Sequence, residues 1–187
     1  MVRSRCARRA SCWGRSMING ITIGCVRGRG PISRAIGWFG GGYYSHITSL
    51  WCEKTNTVLD SRKDRIFGIP PGVQTRPLEY LRKDKIDWLR VPMNSKQAAN
   101  YRECLYSQIG KPYDTLGVWN FVTGKLKDRN FRDRSQWFCD DLVVWALEDC
   151  GACPRLILPP PRVTPGGAAL IACALGAVLD SVPMPVR

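Results

Sequence analysis

The sequence predicts an α+β domain, with strands gathered in the first half and helices in the second. Three observations predict it. Residues 18–26 and 44–51 are rich in β-branched residues or alternate apolar with polar ones, the period of a strand. Residues 95–109 and 139–150 instead carry apolar side chains at three- and four-residue steps, one face of a helix. The chain of 187 residues shows no internal repeat and is long enough to bury one core, so a single domain over residues 17–187 is expected.

In order, residues 1–16 read as a loose basic arm carrying Arg3, Arg5, Arg8, Arg9 and Arg15. Residues 18–26 are the first strand and 27–31 a glycine-rich turn. A short helix over 32–39 is stopped by Gly40, Gly41 and Gly42. Residues 44–51 form a strand with His46, Thr48 and Leu50 on one face. Residues 57–61 are its hairpin partner across the turn 53–56. The stretch 63–75, with Pro70-Pro71-Gly72, reads as loop, and 86–91 as a strand stopped by Pro92. The helix over 95–109 takes Ser95 as its cap and turns Ala98, Tyr101 and Leu105 inward. A turn at Lys111-Pro112-Tyr113-Asp114 leads to a second helical segment, 116–122, and then to the helix that opens at Cys139. Beyond the prolines of 158–161, the apolar run 168–179 reads as a buried C-terminal helix. At about twelve residues it is too short to span a bilayer.

Composition narrows the function classes. Twenty-eight basic residues against fifteen acidic ones give a net charge of +13, a surface suited to polyanions such as nucleic acid, an anionic membrane or an acidic cell wall. Nine cysteines are scattered without paired metal-binding spacings, and Cys150-Gly151-Ala152-Cys153 stands alone beside a single histidine. That pattern argues against a zinc site and implies no disulfide framework, so no metal or cofactor is expected and synthesis in a reducing compartment is. The basic N-terminus lacks the apolar run of a secretory signal. Synthesis in the cytoplasm is expected, with action at the cell envelope or packaging in a virion.

The chemistry-bearing residues are few. After Cys139, the residues Leu142, Val143, Ala146 and Leu147 mark one helix face, and a charged, turn-prone run, 127–135, precedes it. A cysteine at a helix N-terminus meets unpaired N–H groups and the positive end of the dipole, which favour thiolate. The alternative is an inert core thiol. His46 is the only imidazole, and Asp60 lies on the predicted partner strand, where a carboxylate can fix the ring's tautomer. A surface or core histidine and a strand-end carboxylate are the plainer readings. Asp64 and Glu53 are alternatives to Asp60 if the hairpin register differs. Cysteine, histidine and an acid are the parts of a thiol hydrolase.

The order Tyr44-Ser45-His46-Ile47, then Asp60, then Gly110-Lys111-Pro112-Tyr113-Asp114, then Trp137-Phe138-Cys139 opening a helix resembles the circularly permuted NlpC/P60 cysteine hydrolases, especially their YiiX/YaeF-like branch. Gly28-Arg29-Gly30-Pro31-Ile32-Ser33 with Ile36-Gly37-Trp38 resembles that branch's glycine turn and short helix, and Cys139-Asp140-Asp141-Leu142-Val143 its nucleophile motif. The resemblance covers residues 18 to 170. It implies a permuted papain-like fold, an antiparallel sheet packed against helices with the nucleophile helix after the strands. It also implies Cys139 as nucleophile, His46 as base and Asp60 as orienting group. Tyr113, with Tyr44, Ser45 and Trp137 of the same motifs, is expected on the substrate side. The implied substrates are cell-wall (peptidoglycan) peptides or related lipid and amide compounds, and the basic, compact chain suits a bacteriophage enzyme. One departure bears on chemistry: Asp140 stands where relatives carry a small polar residue, and a charge beside a thiolate opposes its formation.

A different class also fits the sequence, a non-catalytic nucleic-acid-binding or virion structural protein. It would use the basic arm and the aromatic residues Trp119, Phe121, Phe131 and Trp137, interspersed with Lys and Arg. The plainer reading of those aromatics is core.

Overall fold

In the computed structural model the strands of the first half build one sheet, which the second half covers with helices. The structure describes residues 20–39, 42–52, 54–115, 135–155 and 163–181. The basic arm 1–16, Glu53, the helical segment 116–122 with Trp119 and Phe121, Phe131 and the prolines 159–161 lie outside the described residues.

Strands β1 (Gly20–Arg27), β2 (His46–Cys52), β3 (Thr57–Arg62), β4 (Gly72–Pro77), β5 (Lys85–Pro92) and β6 (Val178–Asp180) form a sheet in the order β4-β3-β2-β1-β5-β6. Every neighbouring pair is antiparallel. Helices α1 (Pro31–Phe39), α2 (Ser95–Ser107), α3 (Cys139–Asp149) and α4 (Pro165–Ala174) complete the α+β architecture.

The period-two pleat divides the sheet into two faces. Ile21, Ile23, Cys25, Ile47, Leu59, Val73, Leu89 and Val91 point to the helices. There they meet Ala98, Tyr101 and Leu105 of α2, Leu142, Val143, Ala146 and Leu147 of α3, and Ala168 and Ala172 of α4. The intervening residues Val26, Val58 and Trp88 form a smaller cluster on the opposite face, closed by Leu78 and Leu81 of the short 3-10 helix Leu78–Leu81. His46 and Asp60 alternate with Ile47 and Leu59, so they belong to this second face.

Three elements differ from the sequence reading. Part of the expected loop 63–75 is strand β4, paired with β3 from Thr57–Pro77 to Arg62–Gly72. Its apolar signal is a single inward residue, Val73, because the other face holds Gln74 and Arg76. The cap of α2 is Asn94 rather than Ser95: its side chain accepts from the Gln97 N–H at 2.8 Å while Gln97 accepts from the Asn94 N–H at 3.1 Å, a reciprocal capping box. The apolar run 168–179 is not one helix. It ends as α4 at Ala174, turns at Gly176 with φ +84°, and returns as β6, which Asp180 ties to Arg90 at 2.8 Å. No helix among the described residues is long and apolar enough to cross a membrane.

The segment 110–114 is fastened to the end of β4. Val73 N–H donates to the Lys111 carbonyl and Gly110 N–H to the Val73 carbonyl, both at 2.9 Å. Gly72 makes this approach possible: at φ +100° a Cβ would stand 2.2 Å from the Lys111 oxygen. Trp137 N–H then donates to the Pro112 carbonyl at 3.1 Å, and Asp114 N–H to the Trp137 carbonyl at 3.2 Å. These bonds place the residue two positions ahead of Cys139.

Candidate active site

The site lies where the sheet comes apart. The β2–β3 register runs through Ser49–Leu59, Leu50–Val58 and Cys52–Thr57, and stops before Ile47 and His46. Beyond that point the start of α3 takes up the backbone and side-chain groups. The Ser61 hydroxyl donates to the Trp137 carbonyl at 2.8 Å, and the Ile47 backbone N–H lies near enough to Cys139 to favour its thiolate. The thiol therefore enters from the helix layer at the residue next to His46.

His46 and Asp60 face each other across the opened hairpin, with Nε2 of the ring 2.8 Å from Oδ2 of the carboxylate. Both are buried. Burial, then the charge of Arg62, lowers the imidazole's affinity for a proton, and the hydrogen bond from Asp60 only partly restores it. Asp60 also suffers burial, but His46, Arg76 and Tyr80 together hold its carboxyl below the usual range, so the carboxylate is ionised. An ionised carboxylate only accepts, so it fixes the ring's tautomer: the proton sits on Nε2, and Nδ1 carries the lone pair.

An ion so deeply buried needs compensation. Arg76, also sealed from solvent, donates from Nη1 to Asp60 Oδ1 at 2.6 Å and from Nη2 to the carbonyls of Pro70 and Gly72 at 3.1 Å. The Tyr80 hydroxyl, from the 3-10 helix, makes a close hydrogen bond to Asp60 Oδ2 and lies 3.5 Å from His46 Nε2. The Arg62 guanidinium covers the Tyr80 ring at 5.0 Å.

Cys139 is 5% exposed at the first position of α3, whose N-terminus no side chain caps. The expectation that this position favours thiolate is corrected here. Burial, then the Asp140 charge, pushes the thiol well above its ordinary value, and the Ile47 N–H opposes them without prevailing. The magnitudes explain the outcome. A helix terminus contributes about 0.3–1 kcal/mol, whereas full burial shifts an acid by up to roughly 3–5 pKa units. The Cys139 thiol points at Asp140 Oδ1, 3.4 Å away.

Of the residues expected on the substrate side, Tyr113 is half-buried and packs edge-on against Phe138 at 5.7 Å. Burial and the charges of Cys139 and Asp140 push its phenol up, which places it beside the thiol. Trp137 cannot touch a substrate: it is 1% exposed, packs on Trp145 at 5.0 Å and donates from its indole to Gln108 at 3.0 Å. Neighbouring Cys139 in the chain, it points instead into the core. The Ser45 side chain is likewise taken up, accepting from the Gly28 N–H at 3.0 Å and donating to the Val26 carbonyl. The Tyr44 hydroxyl donates to Asp87 at 2.7 Å, beneath Arg27. Asp64 is exposed in the bend after β3, and the carboxylate on the ring is Asp60.

Sequence reasoning missed Arg62, Arg76 and Tyr80. Arg62 was within reach, since two residues beyond Asp60 on one strand is the same face. Arg76 and Tyr80 reach the site through β4 and the 3-10 helix, and nothing local announces either. Among the described residues no group of three or more His, Cys, Asp or Glu could hold a metal ion. No protein-family model matches the chain, and no curated protein matches it.

Proposed function

We propose that this chain is a thiol hydrolase that cleaves an amide or ester through an acyl-enzyme on Cys139, built on a permuted papain-like frame of the NlpC/P60 kind. The observation that carries the reading is the junction at the open end of the β2–β3 hairpin. A cysteine at a helix start lies by the Ile47 backbone, one residue along from a histidine whose Nε2 is held by a buried carboxylate. The strand bearing His46 precedes the helix bearing Cys139, the order that the permuted family has.

The resting pair is a neutral thiol and a neutral imidazole. As the sulfur attacks the carbonyl carbon, His46 Nδ1 takes the thiol proton, and the C=O pair becomes an oxyanion facing the Cys139 N–H at the start of α3. Asp60 stabilises the imidazolium that forms. The tetrahedral carbon then expels the amine or alcohol, which takes the proton from His46 and leaves a thioester. Water yields a proton to His46, its hydroxide adds to the thioester, and the sulfur departs with that proton to restore the thiol. Burial that keeps both partners neutral places the acid limb of activity below 6.5, the ordinary histidine value.

The substrate we propose is a cell-wall peptide or related amide, in the setting of a bacteriophage enzyme acting at the envelope. A net charge of +13 supports adhesion to anionic wall polymers. Release of peptide from purified peptidoglycan, set against release of fatty acid from phospholipid vesicles, tests substrate and reaction together. Cys139→Ala is expected to abolish the first, and equal release by that variant sinks the proposal. The polyanion-binding alternative loses one of its four aromatics, because Trp137 is sealed in the core.

A further inference from the structure

The mechanism above leaves the Arg62 guanidinium unused. Arg62 stands at the end of β3, two residues past Asp60 on the same face, with its guanidinium over the Tyr80 ring at 5.0 Å. Its side chain is partly enclosed and still reaches solvent, unlike Arg76. Among the described residues Arg62 forms no salt bridge. Among the described residues the carboxylate close to it is Asp60, already taken: Arg76 occupies Oδ1, and His46 and Tyr80 occupy Oδ2. The Tyr80 hydroxyl lies 3.5 Å from His46 Nε2, so the cation above that ring stands beside the His46–Asp60 pair, and its charge bears on Cys139 as well. A half-enclosed guanidinium with a fork of donors and, among the described residues, no carboxylate of its own suits an oxyanion brought by a ligand.

We infer that Arg62 is a specificity-determining residue that binds an anionic group, a carboxylate or a phosphate, carried by the substrate close to the acyl carbon that Cys139 attacks. The inference rests on Cys139 being the nucleophile. It narrows the substrates to acyl compounds with a negative charge next to the scissile bond, and leaves neutral acyl groups poorly held.

Iodoacetate and iodoacetamide provide the test, since they differ in charge and hardly in shape. Each alkylates the same way: sulfur bonds to the methylene carbon, iodide leaves, and the thiol proton passes to His46 and then to water. The ratio of the two rates at Cys139, measured by mass spectrometry of the full chain, cancels the thiolate fraction and any change in accessibility. The exposed Cys173 in the same sample gives the reference ratio. The expected result is a fall of roughly tenfold or more in the Cys139 ratio on Arg62→Gln, the size of a lost charge-assisted hydrogen bond. Arg62→Lys should retain part of the preference, and the Cys173 ratio should stay unchanged. An unchanged Cys139 ratio in Arg62→Gln overturns the role of Arg62 and leaves Cys139 untouched as nucleophile. Failure of both reagents to modify Cys139 while Cys173 reacts overturns the nucleophile itself. Protection by succinate assigns the anion as a carboxylate, protection by inorganic phosphate as a phosphate, and protection by neither counts against Arg62 as an anion site.

Discussion

Replacing Asp140 by Asn should make Cys139 more reactive, although it removes a group that touches the candidate nucleophile. Asp140 Oδ1 lies 3.4 Å from the sulfur, and its charge opposes ionisation of the thiol. Two unit charges about 4 Å apart repel by about 1 kcal/mol even at the dielectric of water, and by about 4 kcal/mol at the effective value near a protein surface. Removing the smaller repulsion alone raises the thiolate fraction at fixed pH about fivefold. Asn keeps the shape and an oxygen that accepts from the thiol. The assay is the rate of iodoacetamide labelling at Cys139, followed by mass spectrometry from about pH 5 to about pH 10, a span that covers the ordinary histidine and cysteine pKa values. The natural chain should label ever faster as pH rises through and beyond neutral, because burial and Asp140 keep the sulfur protonated. The variant should lie above it at each pH. A flat profile extending below neutral would falsify this reasoning, since it marks a thiolate–imidazolium pair already formed at rest. A variant labelled no faster than the natural chain would show that the carboxylate does not restrain the thiol.

Asp60→Asn should destabilise the fold by about 3–5 kcal/mol in urea unfolding, because it leaves the sealed Arg76 without its counter-charge. The pH dependence carries the same signature. His46 has its folded pKa lowered from 6.5, so its contribution is complete above that value and declines as pH falls below it. Asp60 is lowered from 3.8, so its share is present above 3.8 and lost as pH falls through the folded value. The steeper loss below 3.8 should be shallower in Asp60→Asn, and identical acid limbs would count against the carboxylate's role. Gly72→Ala should cost about 2–4 kcal/mol, from a strained φ of +100° and a methyl driven against the Lys111 oxygen; a neutral change in melting temperature would contradict the close approach. Trp137→Phe leaves the buried Gln108 oxygen without its indole donor, at a cost of about 1–3 kcal/mol. It should lower stability and leave KM alone, whereas a raised KM at unchanged stability would return Trp137 to the substrate side.

The strands that alternate were legible, and those that do not were hidden. Residues 44–51 and 57–61 announce a hairpin by period and turn, and they pair as β2 and β3. β4 carries one apolar inward residue because its other face is given to a buried arginine, so it read as loop. β6 is three residues long and follows an apolar helix after the short turn Leu175-Gly176-Ala177, a boundary that hydrophobicity alone does not draw. The His46–Asp60 contact could be anticipated from the hairpin, since both side chains fall on one face. What decides the state of the thiol could not. The burial of Cys139 and the enclosure of Asp60 by Arg76 and Tyr80 depend on how α3, β4 and the 3-10 helix close around one point. Trp137 shows the converse hazard, for closeness in sequence to Cys139 implied closeness to its chemistry, and the backbone turns the indole the other way.

The two faces of the sheet have separate cores, one under the helices and one under the 3-10 helix. A side chain on the helix layer and a side chain on the far face are normally screened from each other by the strand between them. Here the β2–β3 ladder ends early, and the start of α3 is fastened to the strand residues just beyond that end. A buried backbone N–H left without an acceptor costs about 1–3 kcal/mol. The buried Asp114 N–H avoids that cost by donating to the Trp137 carbonyl, which also accepts from the Ser61 hydroxyl of β3. The same bonds therefore tie the start of α3, and with it Cys139, to the end of the interrupted ladder. The position of the candidate nucleophile and the hydrogen-bond accounting of the fold therefore rest on the same contacts.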